Sequence, residues 1–157
     1  MAAGVRPKRV TNTRDDRAQT KFWKDSFENR RCLVPVTAFC EPDEGKPARW
    51  HWFALKGDDD RPLFAFAGLF RQWKGPIKKE GPHVDIEVFS FMTTLPNALT
   101  STINHERSPV LLTNETEFAT WLDGTPEEAF RLIKASDAGR MQIVQSGFEK
   151  KDLLQAA

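Results

Sequence analysis

The chain has 157 residues, of which 39% are hydrophobic and 29% charged, with a formal net charge of +1. This length suits one soluble domain with a real core, and no apolar run is long enough to span a membrane. The N-terminus lacks the apolar stretch of a secretory signal, and the two cysteines have no CxxC or Cys/His zinc spacing, which points to a cytosolic protein with free thiols.

Charge is spread unevenly. Residues 1–31 hold nine Lys/Arg against four acids, a surplus of five, so the rest of the chain carries a net −4. Such a segment fits a localised phosphate-binding face, and an ordinary solvated charge run is the plain alternative.

In chain order, residues 5–14 read as extended. Residues 20–30 read as a helix capped by Thr20, with Phe22, Trp23 and Phe27 on one side. The apolar run from Cys32 to Cys40 is interrupted by Pro35 and bends at Thr37, so it reads as an edge or bent strand. It ends on Glu41, followed by Pro42 and the turn Asp43-Glu44-Gly45. A carboxylate at the end of a buried strand can become a proton carrier where the strand meets a cleft, and a strand-end Glu in water is the alternative.

Residues 49–55 alternate as a strand, with Trp50 and Trp52 on one face and His51 on the other. Residues 62–71 return as a strongly apolar strand, and the two runs read as a hairpin. Ala65, Ala67 and Gly68 suggest close approach of another backbone. A polar loop over 74–82 precedes a strand over 84–94. A short helix over 96–103, a polar loop over 104–108 and a brief strand over 109–112 follow. Asn114 with Glu117 reads as a capping pair. Thr125-Pro126-Glu127-Glu128 opens another helix, running to about Ala135, and residues 140–148 form a last strand. No repeat or linker is evident. The pattern describes one strand-rich α+β domain over 1–157, with a mixed or antiparallel sheet and a few short helices.

Read together, Arg31-Cys-Leu-Val-Pro and Ala38-Phe-Cys-Glu41 resemble the SRAP family, the abasic-site processing proteins also called SOS-response-associated peptidases. Three further stretches agree in the family's order: Thr11-Asn12-Thr13-Arg14 with its Asn-x-Arg motif, Phe66-Ala-Gly-Leu-Phe70 with its Phe-Ala-Gly-Leu-aromatic strand, and Ile103-Asn-His-Glu-Arg-Ser-Pro-Val-Leu111 with its His-x-Arg-Met-Pro-Val segment. The resemblance covers about residues 6–148. Two departures stand out. Pro42 follows Glu41 where the family usually has an aromatic. The chain starts Met1-Ala2-Ala3 where the family starts Met-Cys-Gly-Arg and uses the exposed Cys as nucleophile. The expectation is therefore a chain short of that front segment, forming no stable cross-link of its own.

The resemblance implies an abasic-site protein that binds single-stranded DNA and forms a thiazolidine cross-link through the N-terminal Cys, with possible self-processing peptidase activity. It implies catalytic roles for Glu41 as proton donor, His105 near the sugar and Asn12 as a hydrogen-bonding group. It implies DNA contacts from Arg14 and Arg107. Trp50, an aromatic that could stack on a base, is a further DNA-binding candidate. Asn12, Arg14, Glu41 and His105 are expected to line one groove floored by residues 62–71. No metal, cofactor or membrane is implied, and location would be the cytoplasm beside the nucleoid, or the nucleus in a eukaryote. A non-catalytic single-strand binding module and an inactive fragment remain as alternatives. Cys32 and Cys40 read as small core residues rather than a disulfide or a replacement nucleophile. His51, His83 and His105 lack the local spacing of metal ligands.

Overall fold

The computed structural model describes residues 11–58, 61–78, 80–103 and 106–153. The first ten residues of the basic segment, which include part of the 5–14 extended run, and His105 lie outside them.

Two sheets form the frame. The larger has the order β1 (Asn12–Arg14), β6 (His83–Thr94), β5 (Phe64–Pro76), β2 (Arg31–Val36), with β7 (Ser108–Pro109) on β6 and β8 (Leu111–Leu112) on β5. The smaller has the order β3 (Phe39–Pro42), β4 (Trp50–Leu55), β9 (Met141–Gly147). β1 runs parallel to β6 and every other pairing is antiparallel, so the larger sheet is mixed.

The run around Cys32 divides between the sheets. Pro35 lacks the N–H a central strand needs, and β2 accordingly occupies a sheet edge. The chain turns at Thr37-Ala38 and re-enters the smaller sheet as β3. The expected hairpin of residues 49–55 with 62–71 does not form: β4 pairs with β3 and β9, whereas β5 pairs with β2, β6 and β8. The cause lies in the first part of β5, residues 64–70, whose side chains are apolar on both faces. Phe64 and Phe66 enter one core, Ala67 and Leu69 the other, so the strand needs neighbours on both edges and cover on both faces.

One core lies between the larger sheet and the helices α1 (Lys24–Asn29), α2 (Glu115–Asp123) and α3 (Pro126–Arg131), around Trp23, Phe27, Leu69, Met92, Val110, Leu112 and Trp121. The other lies between the two sheets, where Phe39 stacks on Phe53 at 5.4 Å and meets Phe66 edge-on at 5.6 Å. Each such side chain contributes roughly 1.5–3 kcal/mol on burial.

Close approach is real at Gly68. A Cβ there would lie 2.7 Å from Cys32 Sγ and 2.9 Å from the Cys32 carbonyl oxygen. The expected caps of α2 and α3 are present: Asn114 Oδ1 accepts from the Glu117 N–H at 2.9 Å, and Thr125 with Glu128 forms a capping box. Three helical readings are corrected. α1 starts at Lys24 with Trp23 at its N-cap position, because the Thr20 hydroxyl donates back to the Arg17 carbonyl instead of capping. Residues 96–103 yield only a 3-10 turn, Thr100–Ile103, because Asn97 takes the Leu99 and Thr100 N–H groups on its side chain. α3 ends at Arg131.

Candidate functional site

β5 and β6 pair from Pro76–His83 down to Gly68–Phe91 and then part. Residues 108–112 fill the opening. The Val110 N–H donates to the Met92 carbonyl at 2.9 Å, and the Val110 carbonyl accepts from the Ala67 N–H at 3.1 Å. This wedge places Arg107 beside Thr93, at the edge where β1 joins β6. Asn12 lies in register with Phe91, Thr13 with Met92 and Arg14 with Thr93. Thr13 is buried and shares a hydrogen bond with Ser90 at 2.9 Å. By alternation Asn12 and Arg14 take the opposite face, the one that Phe91 and Phe66 present to the second sheet, and both are exposed.

A network fixes this corner. Arg107 donates to Asp15 Oδ1 at 2.6 Å, to the Thr93 carbonyl at 2.6 Å and to Thr93 Oγ1 at 3.2 Å. Thr94 Oγ1 donates to the other Asp15 oxygen at 2.8 Å. Burial opposes ionisation of Asp15, but the bonds from Arg107, Thr94 and the Asp16 N–H together outweigh it and hold the carboxyl below its ordinary value. Arg14 forms a two-bond fork with Asp16, at 3.0 and 2.8 Å.

Glu41 belongs to the smaller sheet. It lies two residues beyond Phe39 on β3 and so faces the same way, toward the space between the sheets. An aromatic path joins the two sides: Phe39 touches Phe66, Phe66 touches Phe91 at 4.9 Å, and Phe91 is the register partner of Asn12. Glu41 is also in register with His51, and His51 with Ser146. His51 Nδ1 lies 2.8 Å from Ser146 Oγ, and Nε2 lies 3.5 Å from Asp43 Oδ2. Asp43 is pinned by the backbone N–H groups of Arg49 and Gly45, which hold its carboxyl below the ordinary range.

Asn12, Arg14 and Glu41 therefore all lie on strand faces turned toward the one inter-sheet layer. Trp50 does not join them. Alternation turns it to the outer face of the smaller sheet, where Lys150 Nζ sits 4.6 Å from its ring centroid. Burial pushes the Cys32 and Cys40 thiols up, so neither is an activated thiolate. Among the described residues no three His, Cys, Asp or Glu side chains gather as metal ligands would. No helix among them is long and apolar enough to cross a membrane. Sequence reasoning passed over Asp15, Asp16 and the Asp43–His51–Ser146 trio. The first two carried a signal, being acids directly after the Asn-x-Arg motif.

The family model for SOS response associated peptidase (SRAP) matches residues 3–147. The chain belongs to the SRAP family. It is 35% identical over 141 residues to abasic site processing protein YoqW of Bacillus subtilis strain 168, an overlap of 82% of this chain and 57% of that protein. It is 32% identical over 141 residues to abasic site processing protein YobE of the same organism, covering 82% of this chain and 58% of that one. The chain thus spans somewhat over half the length of the curated relatives it matches. A crystal structure from Bacteroides thetaiotaomicron is similar at a TM-score of 0.69 and 30% identity, over 83% of this chain and 56% of the other. One from Bordetella bronchiseptica is similar in fold at a TM-score of 0.66 and 18% identity, over 87% and 63%.

Proposed function

We propose that this chain supplies the strand-bound part of an abasic-site processing centre acting on single-stranded DNA. The observation that supports the reading is that Asn12 and Arg14 on β1 and Glu41 on β3 lie on strand faces turned toward one layer, in which Phe39, Phe66 and Phe91 pack. In this reading Arg14 meets a backbone phosphate through its exposed guanidinium. Asn12 hydrogen-bonds the ring-opened sugar or a neighbouring base. Glu41 donates the proton that lets water leave when an amine condenses with the lesion's aldehyde. His105 acts on the sugar hydroxyl or on the reversal of that step. Arg107, engaged with Asp15 and Thr93, sets the position of the corner and contributes positive charge to it. Such a protein works where DNA is, in the cytoplasm beside the nucleoid or in a nucleus.

The test is binding of the purified chain to two labelled single strands, identical except for one abasic site. Preference for the lesion, reduced by Asn12→Ala and Glu41→Gln, is expected. Equal affinity for both strands, unchanged by either substitution, defeats the reading. The competing reading is a single-strand binding module without catalysis. It rests on the accessible Arg14 alone, and it predicts that Glu41→Gln leaves every interaction with abasic DNA unaltered.

A further inference from the structure

Two acids directly follow the Asn-x-Arg strand, and each takes a different arginine. Asp15 holds Arg107 in a sheltered pair, with side chains only 27% and 20% exposed, tied further to Thr93 and Thr94. Asp16 holds Arg14 in an open pair, 51% and 56% exposed. The open pair has a particular geometry. Arg14 Nε donates to one carboxylate oxygen at 3.0 Å and an Nη to the other at 2.8 Å. This is the two-point fork with which a guanidinium also grips two oxygens of a phosphate. A phosphodiester approaching Arg14 therefore finds that edge of the guanidinium already filled.

We propose that Asp16 is an affinity-setting residue of the nucleic-acid site, an internal competitor that a backbone phosphate must displace from Arg14. The inference rests on the reading above that Arg14 meets phosphate. The Asp16 hold is weak enough to yield, because an exposed ion pair gains little against solvent and is screened by salt. It is strong enough to matter, because it applies to every strand whatever its sequence and so lowers indiscriminate binding. The short 3-10 turn Asp15–Arg17 makes the device local. The Asp16 backbone N–H donates to Asp15 Oδ1 at 2.8 Å, so the anchored Asp15 carries Asp16 into place beside Arg14.

The experiment is a double-mutant cycle on the full chain, read by fluorescence anisotropy with a labelled oligothymidylate across a range of salt. Asp16→Asn should tighten binding by about two- to fivefold at low salt, a gain that fades as salt rises. In the Arg14→Ala background the same substitution should change binding by less than about 1.5-fold, since no guanidinium remains to compete for. Asp16→Ala serves as a second variant, and matching thermal melts establish that each variant is folded. A gain of equal size with and without Arg14 is a generic charge effect and overturns the inference. If Arg14→Ala weakens binding but Asp16→Asn leaves wild-type affinity unchanged, the inference falls while the proposed function stands. If no variant binds the oligonucleotide, both fall.

Discussion

Arg31 holds the backbone of Trp121, and Trp121 in turn holds the backbone of Cys32, the neighbour of Arg31. The Arg31 guanidinium donates to the Trp121 carbonyl, and the Trp121 indole N–H donates at 3.0 Å to the carbonyl of Cys32, the next residue after Arg31. The same indole lies 3.2 Å from the Gly68 carbonyl, while Arg31 also reaches the carbonyls of Phe27, Glu28, Leu122 and Gly124. One guanidinium thus closes the C-terminal ends of α1 and α2, where backbone carbonyls lack helical partners and cations are favoured. The stretch that leads to Glu41 is anchored at its first residue by this clasp.

Arg31→Lys should therefore behave as a severe change. An ammonium cannot span carbonyls on two helices, and several part-buried acceptors would lose their donor. A loss of about 2–3 kcal/mol is expected in a urea melt with an unchanged slope. A shift below about 0.5 kcal/mol would mean that water replaces the guanidinium without penalty.

Gly68→Ala tests the close pairing of β2 with β5, where Cys32 lies in register with Gly68. Its new methyl would meet Cys32 Sγ, the Cys32 carbonyl oxygen and Val34 Cγ2, all within 3.0 Å. Destabilisation of about 1–3 kcal/mol follows from such overpacking. Adding Cys32→Ala removes the sulfur but leaves the backbone oxygen, so the double variant should recover only part of the loss. Full recovery would show that the sulfur alone set the spacing.

Asp15 predicts a pH dependence with a definite sign. Its carboxyl lies below the ordinary value of 3.8 in the folded chain. As the pH falls, the unfolded chain takes up this proton first, so folding gains from Asp15 above the unfolded pKa and loses that gain on descending through the folded one. Asp15→Asn should flatten the stability profile in that acidic window and lower stability at neutral pH. An unchanged profile below pH 4 would place the coupling on other carboxylates, with Asp25 and Asp43 the first to examine.

What the sequence made legible was local. The caps at Asn114 and Thr125 depend on residues three apart, and both form. The Pro35 edge strand, the close approach at Gly68 and the facing of His51 against Trp50 likewise follow from single residues or a period of two. Partnership between distant strands was not legible. β4 and β5 are adjacent in the chain and each reads as a strand, yet they belong to different sheets, because an apolar strand specifies burial without specifying its neighbour. The same limit applies to the site. Asn12, Arg14 and Glu41 could be singled out by motif, but Asp15 reaching Arg107 across 92 positions depends on where residues 108–112 wedge into the larger sheet. Trp50, an aromatic that could stack on a base, faces away from Glu41 because the alternation of β4 puts it on the side opposite His51, the register partner of Glu41.

The two arginines of the corner should separate cleanly in solution. Arg14 stands 56% exposed and is held by Asp16 alone among the described hydrogen-bond partners, so removing it disturbs little of the fold. Arg14→Ala is expected to leave thermal stability within about 0.5 kcal/mol of wild type. It should weaken single-strand binding by a similar factor for every sequence and lower the salt slope by about 0.7, the signature of one lost phosphate contact. Arg107 is 20% exposed and is bonded to both Asp15 and the Thr93 carbonyl, which belong to different elements. Arg107→Ala leaves the Asp15 carboxylate part-buried without its ion-pair partner, a loss of about 2–4 kcal/mol. Its binding defect should appear together with a lowered melting temperature and be partly relieved by Arg107→Ala combined with Asp15→Asn, which removes the stranded charge. Melting curves and salt titrations on the same four proteins decide the matter. If Arg107→Ala melts like wild type while changing the salt slope, Arg107 contacts phosphate directly and the corner has two such contacts rather than one.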